Sequence, residues 1–326
     1  MHLGRTIHLN RSGVCVLGTI ILIFVMYSIS FRAQAVEKET RKLNLHEILQ
    51  VAIRAAENGG KMVVQSKDNL DVRSKGLTKE GLIDSITNAD VASHCAMMQT
   101  ISHFYPTLTI ISEEATTVCG NQSISYSAKV SIPRNIPDEF VPEEDLTVWI
   151  DPLDATFEYT EKLYEYVSTM VCVAVKGRPI IGIIHKPFDK TTSWAWVGKI
   201  RSIDLELAMN KNTFESDFKV IVSRSHKGDI EKVLKENIPE PIKIVTAAGA
   251  GFKSLEVATG KVDAYLHVTM IKKWDICAGN AIINSVGGKM TTKHNKDIDY
   301  SDKMHVENHD GLIATIRNHG KFLGKI

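Results

Sequence analysis

The sequence predicts an α/β protein of two lobes, an α+β N-terminal lobe and an α/β C-terminal lobe, preceded by one transmembrane helix. Three observations carry this expectation. Residues 13–31 hold no charged side chain, and crossing a bilayer takes roughly 20 apolar residues. Residues 45–197 read as two helical patterns followed by apolar runs with hairpin punctuation. Beyond residue 218, short apolar runs alternate with helical patterns, the rhythm of an α/β lobe. The chain has 326 residues, 44% hydrophobic and 24% charged, ample for a sizeable core. Its formal net charge of +1 argues against bulk nucleic-acid binding, and it has no low-complexity block or repeat.

Arg5 and Arg11 precede the apolar run, whereas Arg32 is followed by Glu37 and Glu39, a weak bias for a cytoplasmic tail at 1–12. The run is long for the apolar part of a signal peptide, so 13–31 reads as an uncleaved signal anchor. A cleaved peptide is the rival, because Ala33-Gln34-Ala35 offers a small-x-small site. Residues 32–42 read as a polar linker, and the chain beyond the span would lie in a secretory lumen. There Asn121-Gln122-Ser123 is a glycosylation sequon, while Asn10-Arg11-Ser12 would face the cytoplasm unused. Of the five cysteines, Cys15 lies in the run. Cys95 and Cys119 could pair in an oxidising lumen. Cys172 and Cys277 sit in apolar runs and read as small buried hydrophobes.

The first lobe, 43–215, opens with a helix at 45–56 that ends near Gly59-Gly60. A loop or hairpin over 66–84 and a helix over 84–104 come next, the latter stopped by Pro106. A short strand at 108–111 leads into Ser112-Glu113-Glu114, and 115–145 reads as a surface excursion. Strands are expected at 148–150, 169–175, 180–185 and 193–197, and the charged stretch 199–217 reads as the lobe boundary. In the second lobe, 216–326, strands are expected at 220–223, 242–247, 264–268 and 311–316. Helices are expected at 229–236, 249–260 and 275–286, the last closed by Gly287-Gly288.

Candidate chemistry centres on Asp151-Pro152-Leu153-Asp154-Ala155-Thr156, directly after a buried strand. A strand end is rigid, and the loop after it aims side chains and carbonyls at one point. Two carboxylates at that spacing suit Mg²⁺, which favours carboxylates, carbonyls and water. Taken singly, each acidic residue has an ordinary reading. The turn could be a plain acidic one, Glu113 and Glu114 a solvated loop, Asp275 an N-cap and Asp90 a helix-start residue. Together they supply carboxylates from separate segments, as a two-ion site requires. Without metal such a cluster repels itself and titrates abnormally.

Asp151-Pro-Leu-Asp-Ala-Thr156, the upstream Glu113-Glu114 and Trp274-Asp275 resemble the Mg²⁺-dependent, lithium-sensitive phosphatase family. That family includes inositol monophosphatase, fructose-1,6-bisphosphatase and the bisphosphate nucleotidases. The resemblance runs from about residue 43 to the end. Glu158-Tyr159-Thr160, Val222-Ser-Arg-Ser-His226 and Ala248-Gly-Ala-Gly-Phe-Lys253 are similar to the nucleotidase branch and its Golgi-resident members, with which Ala155 agrees where Gly is commoner. The resemblance implies a layered αβαβα sandwich and two or three Mg²⁺ ions. It implies that Glu113, Asp151 and the Leu153 carbonyl hold one ion, and that Asp151, Asp154 and Asp275 hold a second, with Asp151 bridging. Thr156 and Asp90 would accept the proton of the attacking water. Thr156, Ser223, His226, Gly249 and Lys253 would contact the substrate, a small nucleotide whose 3′-phosphate is hydrolysed. The expected setting is a Golgi membrane, single-pass with the catalytic lobes lumenal. An inositol phosphate substrate is the alternative.

Overall fold

The computed structural model describes residues 11–36, 41–77, 81, 83–120, 124, 126, 132, 136, 138–210, 218–224, 230–238 and 240–326. The chain divides into two compact units, Met1–Arg41 and Lys42–Ile326. The first carries one helix, α1 (Arg11–Val36). A transmembrane span is the expectation for 13–31. One helix runs through it, but among the described residues no helix is long and apolar enough to cross a membrane. Residues 1–10 of the expected tail and 37–40 of the expected linker lie outside the described residues.

The second unit begins with β1 (Lys42–Asn44) and α2 (Leu45–Ser66). The Asn44 side chain caps α2 by accepting from the His46 N–H. The helix does not stop at Gly59-Gly60 as the sequence suggests. It continues because these glycines face close neighbours: a Cβ would lie 2.6 Å from Ser93 Oγ at Gly59 and 2.4 Å from the His185 ring at Gly60. They serve packing rather than termination. β2 (Val72–Leu77) and β3 (Ile83–Thr87) form a hairpin, so α3 (Asn88–Phe104) starts later than expected. Thr87 fixes that start through a capping box with Asp90.

Next come β4 (Ile110–Ser112), β5 (Phe140–Pro142), β6 (Leu146–Asp154), α4 (Thr156–Thr160), β7 (Ser168–Val175), β8 (Arg178–Lys186) and β9 (Thr191–Trp196). The expected boundary at 199–217 contains β10 (Ile200–Arg201) and α5 (Ile203–Asn210), and 211–217 lies outside the described residues. The remaining order is β11 (Phe218–Ser223), α6 (Ile230–Asn237), β12 (Ile242–Ala247), α7 (Ala250–Ala258), β13 (Ala264–His267), β14 (Ile271–Lys272), α8 (Lys273–Ser285), β15 (Lys289–Thr291), β16 (Glu307–Asn308) and β17 (Leu312–Thr315).

Two sheets carry the unit. The larger has the order β10-β9-β8-β7-β6-β4, the other β12-β11-β13-β17-β15. Strand alternation assigns each residue to a face. Val148 and Ile150 of β6 join α2 and α3 residues such as Leu49, Ile53 and Met97. Trp149, between them, joins Ile276, Cys277 and Ile282 of α8 and reaches Ile221 and Tyr265 of the second sheet. Val220 and Val222 point the other way, onto Ile230 and Leu234 of α6. The layers are therefore helix, sheet, helix, sheet, helix. Gly182 lets α8 approach β8, for a Cβ there would sit 2.3 Å from the Ala278 carbonyl oxygen.

Both cysteine pairs are bonded, Cys95 to Cys119 and Cys172 to Cys277. The second pair corrects the sequence reading: these residues are buried in the core, but as a disulfide and not as free thiols.

Candidate active site

The β6–β7 register shifts between Asp151 and Asp154. Such an irregularity takes carbonyls out of the ladder and re-aims neighbouring side chains. The Pro152 carbonyl accepts the Ser93 hydroxyl at 2.6 Å, and the Leu153 carbonyl accepts Thr156 Oγ1 at 3.0 Å. Asp151 Oδ1 accepts the Leu153 N–H at 3.1 Å. Ala155 then adopts a left-handed φ of 70°, a conformation costing a non-glycine residue about 1–2 kcal/mol. That reversal starts α4 with Thr156 facing α3. Thr156 Oγ1 stands 3.0 Å from Asp90 Oδ1 as well. Asp90 Oδ2 in turn accepts the Thr87 N–H at 2.7 Å and the Thr87 hydroxyl at 2.6 Å. Burial lifts the Asp90 carboxyl to about 6, with the Thr87 and Thr156 donors opposing it.

The two aspartates of the turn interact with carboxylates from other segments. Burial, then the charges of Glu113, Asp154, Asp275 and Asp90, push Asp151 well above the usual carboxylate range. Burial, Glu113 and Asp154 do the same to Asp275. Burial lifts Glu113 to about 7 despite Lys75. Asp154 is also raised by burial, although donors surround it. Its oxygens accept the Ala250 N–H at 2.9 Å, the Gly251 N–H at 2.8 Å and the Ser168 hydroxyl at 3.1 Å.

These hydrogen bonds hold the acids within electrostatic reach of one another while turning them to separate partners. Asp275 Oδ2 accepts the Lys272 N–H at 3.2 Å, and Glu113 accepts Lys75 Nζ at 2.9 Å, with Glu114 bound to the same ammonium. Accordingly, among the described residues no group of three or more His, Cys, Asp or Glu side chains converges tightly enough to hold an ion as it stands. The donor set nevertheless has the chemistry for Mg²⁺. It is all oxygen, buried at Asp151, Leu153 and Asp154 and half-buried at Glu113 and Asp275, and it carries more carboxylates than the lysines beside it offset.

The other expected residues are placed unevenly. Ser223 is buried at the end of β11. His226 and Asn121 lie outside the described residues. Gly249 has φ 67°, and a Cβ on it would lie 2.7 Å from the Tyr166 carbonyl oxygen and 3.0 Å from Asp154 Oδ2. Only glycine lets the start of α7 close on Asp154 in this way. Lys253 is buried, not presented to solvent. Its Nζ donates to the Gly249 carbonyl at 2.7 Å and lies 5.1 Å from the Tyr265 ring centroid. Burial lowers its ammonium to about 8, although Asp154, Glu158 and Asp275 pull it back up.

Three participants escape a sequence reading. Lys75 reaches Glu113 from the β2–β3 hairpin, and nothing in its local sequence marks it. Arg224 Nη1 stands 3.8 Å from buried Glu158 and pairs with Glu161 at 3.0 Å, tying the end of β11 to α4. Ser93 needs only its helical position, shortly after a cap, to reach the turn, but no motif flags it.

Comparison with known proteins adds the relatives. A sequence profile described as the inositol monophosphatase family matches residues 44–321. The mouse Golgi-resident adenosine 3′,5′-bisphosphate 3′-phosphatase is 42% identical, covering 87% of this chain and 82% of its own. Inositol monophosphatase 3 from Xenopus laevis is 41% identical over 87% of this chain and 83% of its own. Among solved structures, the extragenic suppressor protein suhB from Bartonella henselae superposes with a TM-score of 0.60 at 19% identity, covering 83% of this chain and 94% of that one. At that identity the likeness concerns the fold.

Proposed function

The chain belongs to the inositol monophosphatase family and is a phosphatase, and from that premise we propose that it hydrolyses the 3′-phosphate of adenosine 3′,5′-bisphosphate to AMP and phosphate. The observation that carries the chemistry is the Thr156–Asp90 pair beside buried, mutually repelling carboxylates. Glu113, Asp151, the Leu153 carbonyl, Asp154 and Asp275, drawn from both lobes, would hold two or three Mg²⁺ ions. When bound, the ions stabilise charge on the phosphoryl group and on the departing oxygen. Asp90 holds Thr156 Oγ1 so that the hydroxyl accepts a proton from the attacking water while passing its own to the carboxylate. A lone threonine is too weak a base, and the carboxylate behind it supplies the missing basicity. Ser223, His226, the Gly249 backbone and the start of α7 would receive the nucleoside and its 5′-phosphate. Buried Lys253 favours anions there by its charge, without touching them.

The name of the mouse relative supports the nucleotide substrate. An inositol phosphate is the second reading, supported by the name of the Xenopus relative. Phosphate release from the purified chain with Mg²⁺ separates them. Turnover of adenosine 3′,5′-bisphosphate well above inositol 1-phosphate and inositol 1,4-bisphosphate is expected, and the reverse order would overturn the proposal. The same reading places the enzyme in the Golgi lumen, where it would clear a by-product of sulfotransferases. Two disulfides suit such an oxidising compartment. In this reading, residues 13–31 attach the chain to the membrane and Asn121 is glycosylated. Alkaline carbonate should leave the protein with the membrane pellet, and glycosidase treatment should shift its mass. Release into the supernatant would exclude a spanning anchor.

A further inference from the structure

The two disulfides do different work, and the difference comes from what surrounds them. Cys172 and Cys277 lie in the main core among Trp149, Ile276 and Ala278. Close packing holds α8 against β7 and β8 there whether or not the sulfurs are bonded. Cys119 has no such support. It ends the stretch that begins with Glu113 and Glu114, just past β4, a three-residue strand at the edge of the larger sheet. Between this stretch and α3 lies a cavity of about 290 Å³, lined by His94, Met98, Ser112, Ala115, Thr117 and Cys119 among others. Beyond buried Glu114 the segment therefore borders open space, and Val118 is 94% exposed.

Among the described residues the segment's start is held by Lys75, which pairs with both Glu113 and Glu114, and by short-range bonds from the Glu114 N–H to Ser112 Oγ at 3.4 Å and from the Thr117 N–H to the Glu114 carbonyl at 2.9 Å; its ties to the rest of the fold are few. The Glu113 N–H donates to the Ile150 carbonyl at 3.3 Å, a long bond. Ser112 Oγ meets His94 Nδ1 at 2.7 Å, and Gln99 Nε2 donates to the Gly120 carbonyl at 2.7 Å. The covalent link is Cys119 to Cys95, on the helix whose first turn carries Asp90.

We propose that the Cys95–Cys119 disulfide is a positioning element for Glu113 and Glu114, fixing their distance from Asp90 and Asp151 and so setting the affinity for Mg²⁺. The cysteines touch no reactant. They act by removing the freedom of a segment that packing leaves unfilled. The inference rests on the metal role proposed for Glu113, and it makes the site responsive to the redox state of its surroundings. Two-electron reduction by a dithiol would convert the bond to two thiols and oxidise the dithiol to its disulfide.

The test compares the Cys95→Ala/Cys119→Ala chain with the Cys172→Ala/Cys277→Ala chain. Mg²⁺ binding is followed by titration calorimetry, beside melting temperature and the Mg²⁺ dependence of phosphate release. The first variant should bind Mg²⁺ about tenfold more weakly and need correspondingly more for half-maximal rate, with kcat at saturating Mg²⁺ within about twofold of wild type. The second should lose melting temperature with its Mg²⁺ affinity unchanged. A purely structural role would lower melting temperature in both and leave the Mg²⁺ midpoint in place, overturning the proposal. A folded first variant with wild-type Mg²⁺ affinity also overturns it. If that variant does not fold, wild type is titrated after mild reduction that frees Cys95 and Cys119 alone, as verified by mass spectrometry of alkylated thiols. The same tenfold weakening is required there. Failure of the unmodified chain to bind Mg²⁺ would instead sink the metal reading itself.

Discussion

Replacing Thr156 with valine removes one hydroxyl and keeps the shape of the side chain. That hydroxyl lies 3.0 Å from both Asp90 Oδ1 and the Leu153 carbonyl, so its single proton serves one acceptor at a time. A hydrogen bond to a charged group contributes about 1.5–3 kcal/mol. Asp90 keeps both donors from Thr87, and the loss of stability should fall near the lower end, about 1–2 kcal/mol. Against a total of roughly 5–15 kcal/mol the variant stays folded. Its rate should suffer far more. Loss of a positioned proton acceptor costs about 10²–10⁴-fold, or about 3–5 kcal/mol of barrier. Phosphate release at saturating Mg²⁺ and substrate, beside urea denaturation of the same sample, separates the two effects. Thr156→Ser should retain most of the rate. A valine variant that keeps more than about a tenth of wild-type kcat would refute the role given to the Thr156–Asp90 pair.

Asp151→Asn should abolish activity and Mg²⁺ binding yet raise the melting temperature of the metal-free protein, because it removes one of several mutually repelling buried carboxylates. A lower melting temperature with activity retained would contradict that reading. Gly182→Ala would put a methyl 2.3 Å from the Ala278 carbonyl oxygen, pushing α8 outward at a cost of about 1–3 kcal/mol. Thermal unfolding followed by circular dichroism should show a fall of several degrees. His185 supplies a pH dependence. Burial lowers its imidazolium from 6.5 to about 4. The unfolded chain takes up a proton as pH falls through the higher value, the folded one only near the lower. Stability is therefore full above about 6.5 and declines below it, by about 2 kcal/mol at pH 5. His185→Gln should flatten the difference in urea midpoint between pH 7 and pH 5.

Local patterns reach as far as local physics does. The apolar run around Trp149 and the strand–helix rhythm beyond Phe218 are written in neighbouring residues, and those elements stand close to where the patterns put them, whereas the helix expected from 84 begins only at Asn88, after a hairpin and the Thr87 cap. Gly59-Gly60 misleads because a glycine pair stops a helix only where nothing else needs the missing Cβ, and here Ser93 and His185 do. The acidic residues of the site are legible as a motif, since hard oxygen donors at a strand end, a turn and a helix start are unusual together.

What tertiary structure alone decides is how those acids are held. Lys75 arrives from a hairpin whose local sequence gives no hint of its destination, and Lys253, which the resemblance makes a substrate contact, is buried near Asp154 with its ammonium bound to the Gly249 carbonyl. Cys172 and Cys277, far apart in the chain, meet because β7 and α8 share one core. The carboxylates and their spacing are properties of the sequence, because side-chain chemistry travels with the residue. Their mutual distances, their partners and their shifted titration are properties of the fold, because burial and Coulomb interaction depend on where other segments come to rest.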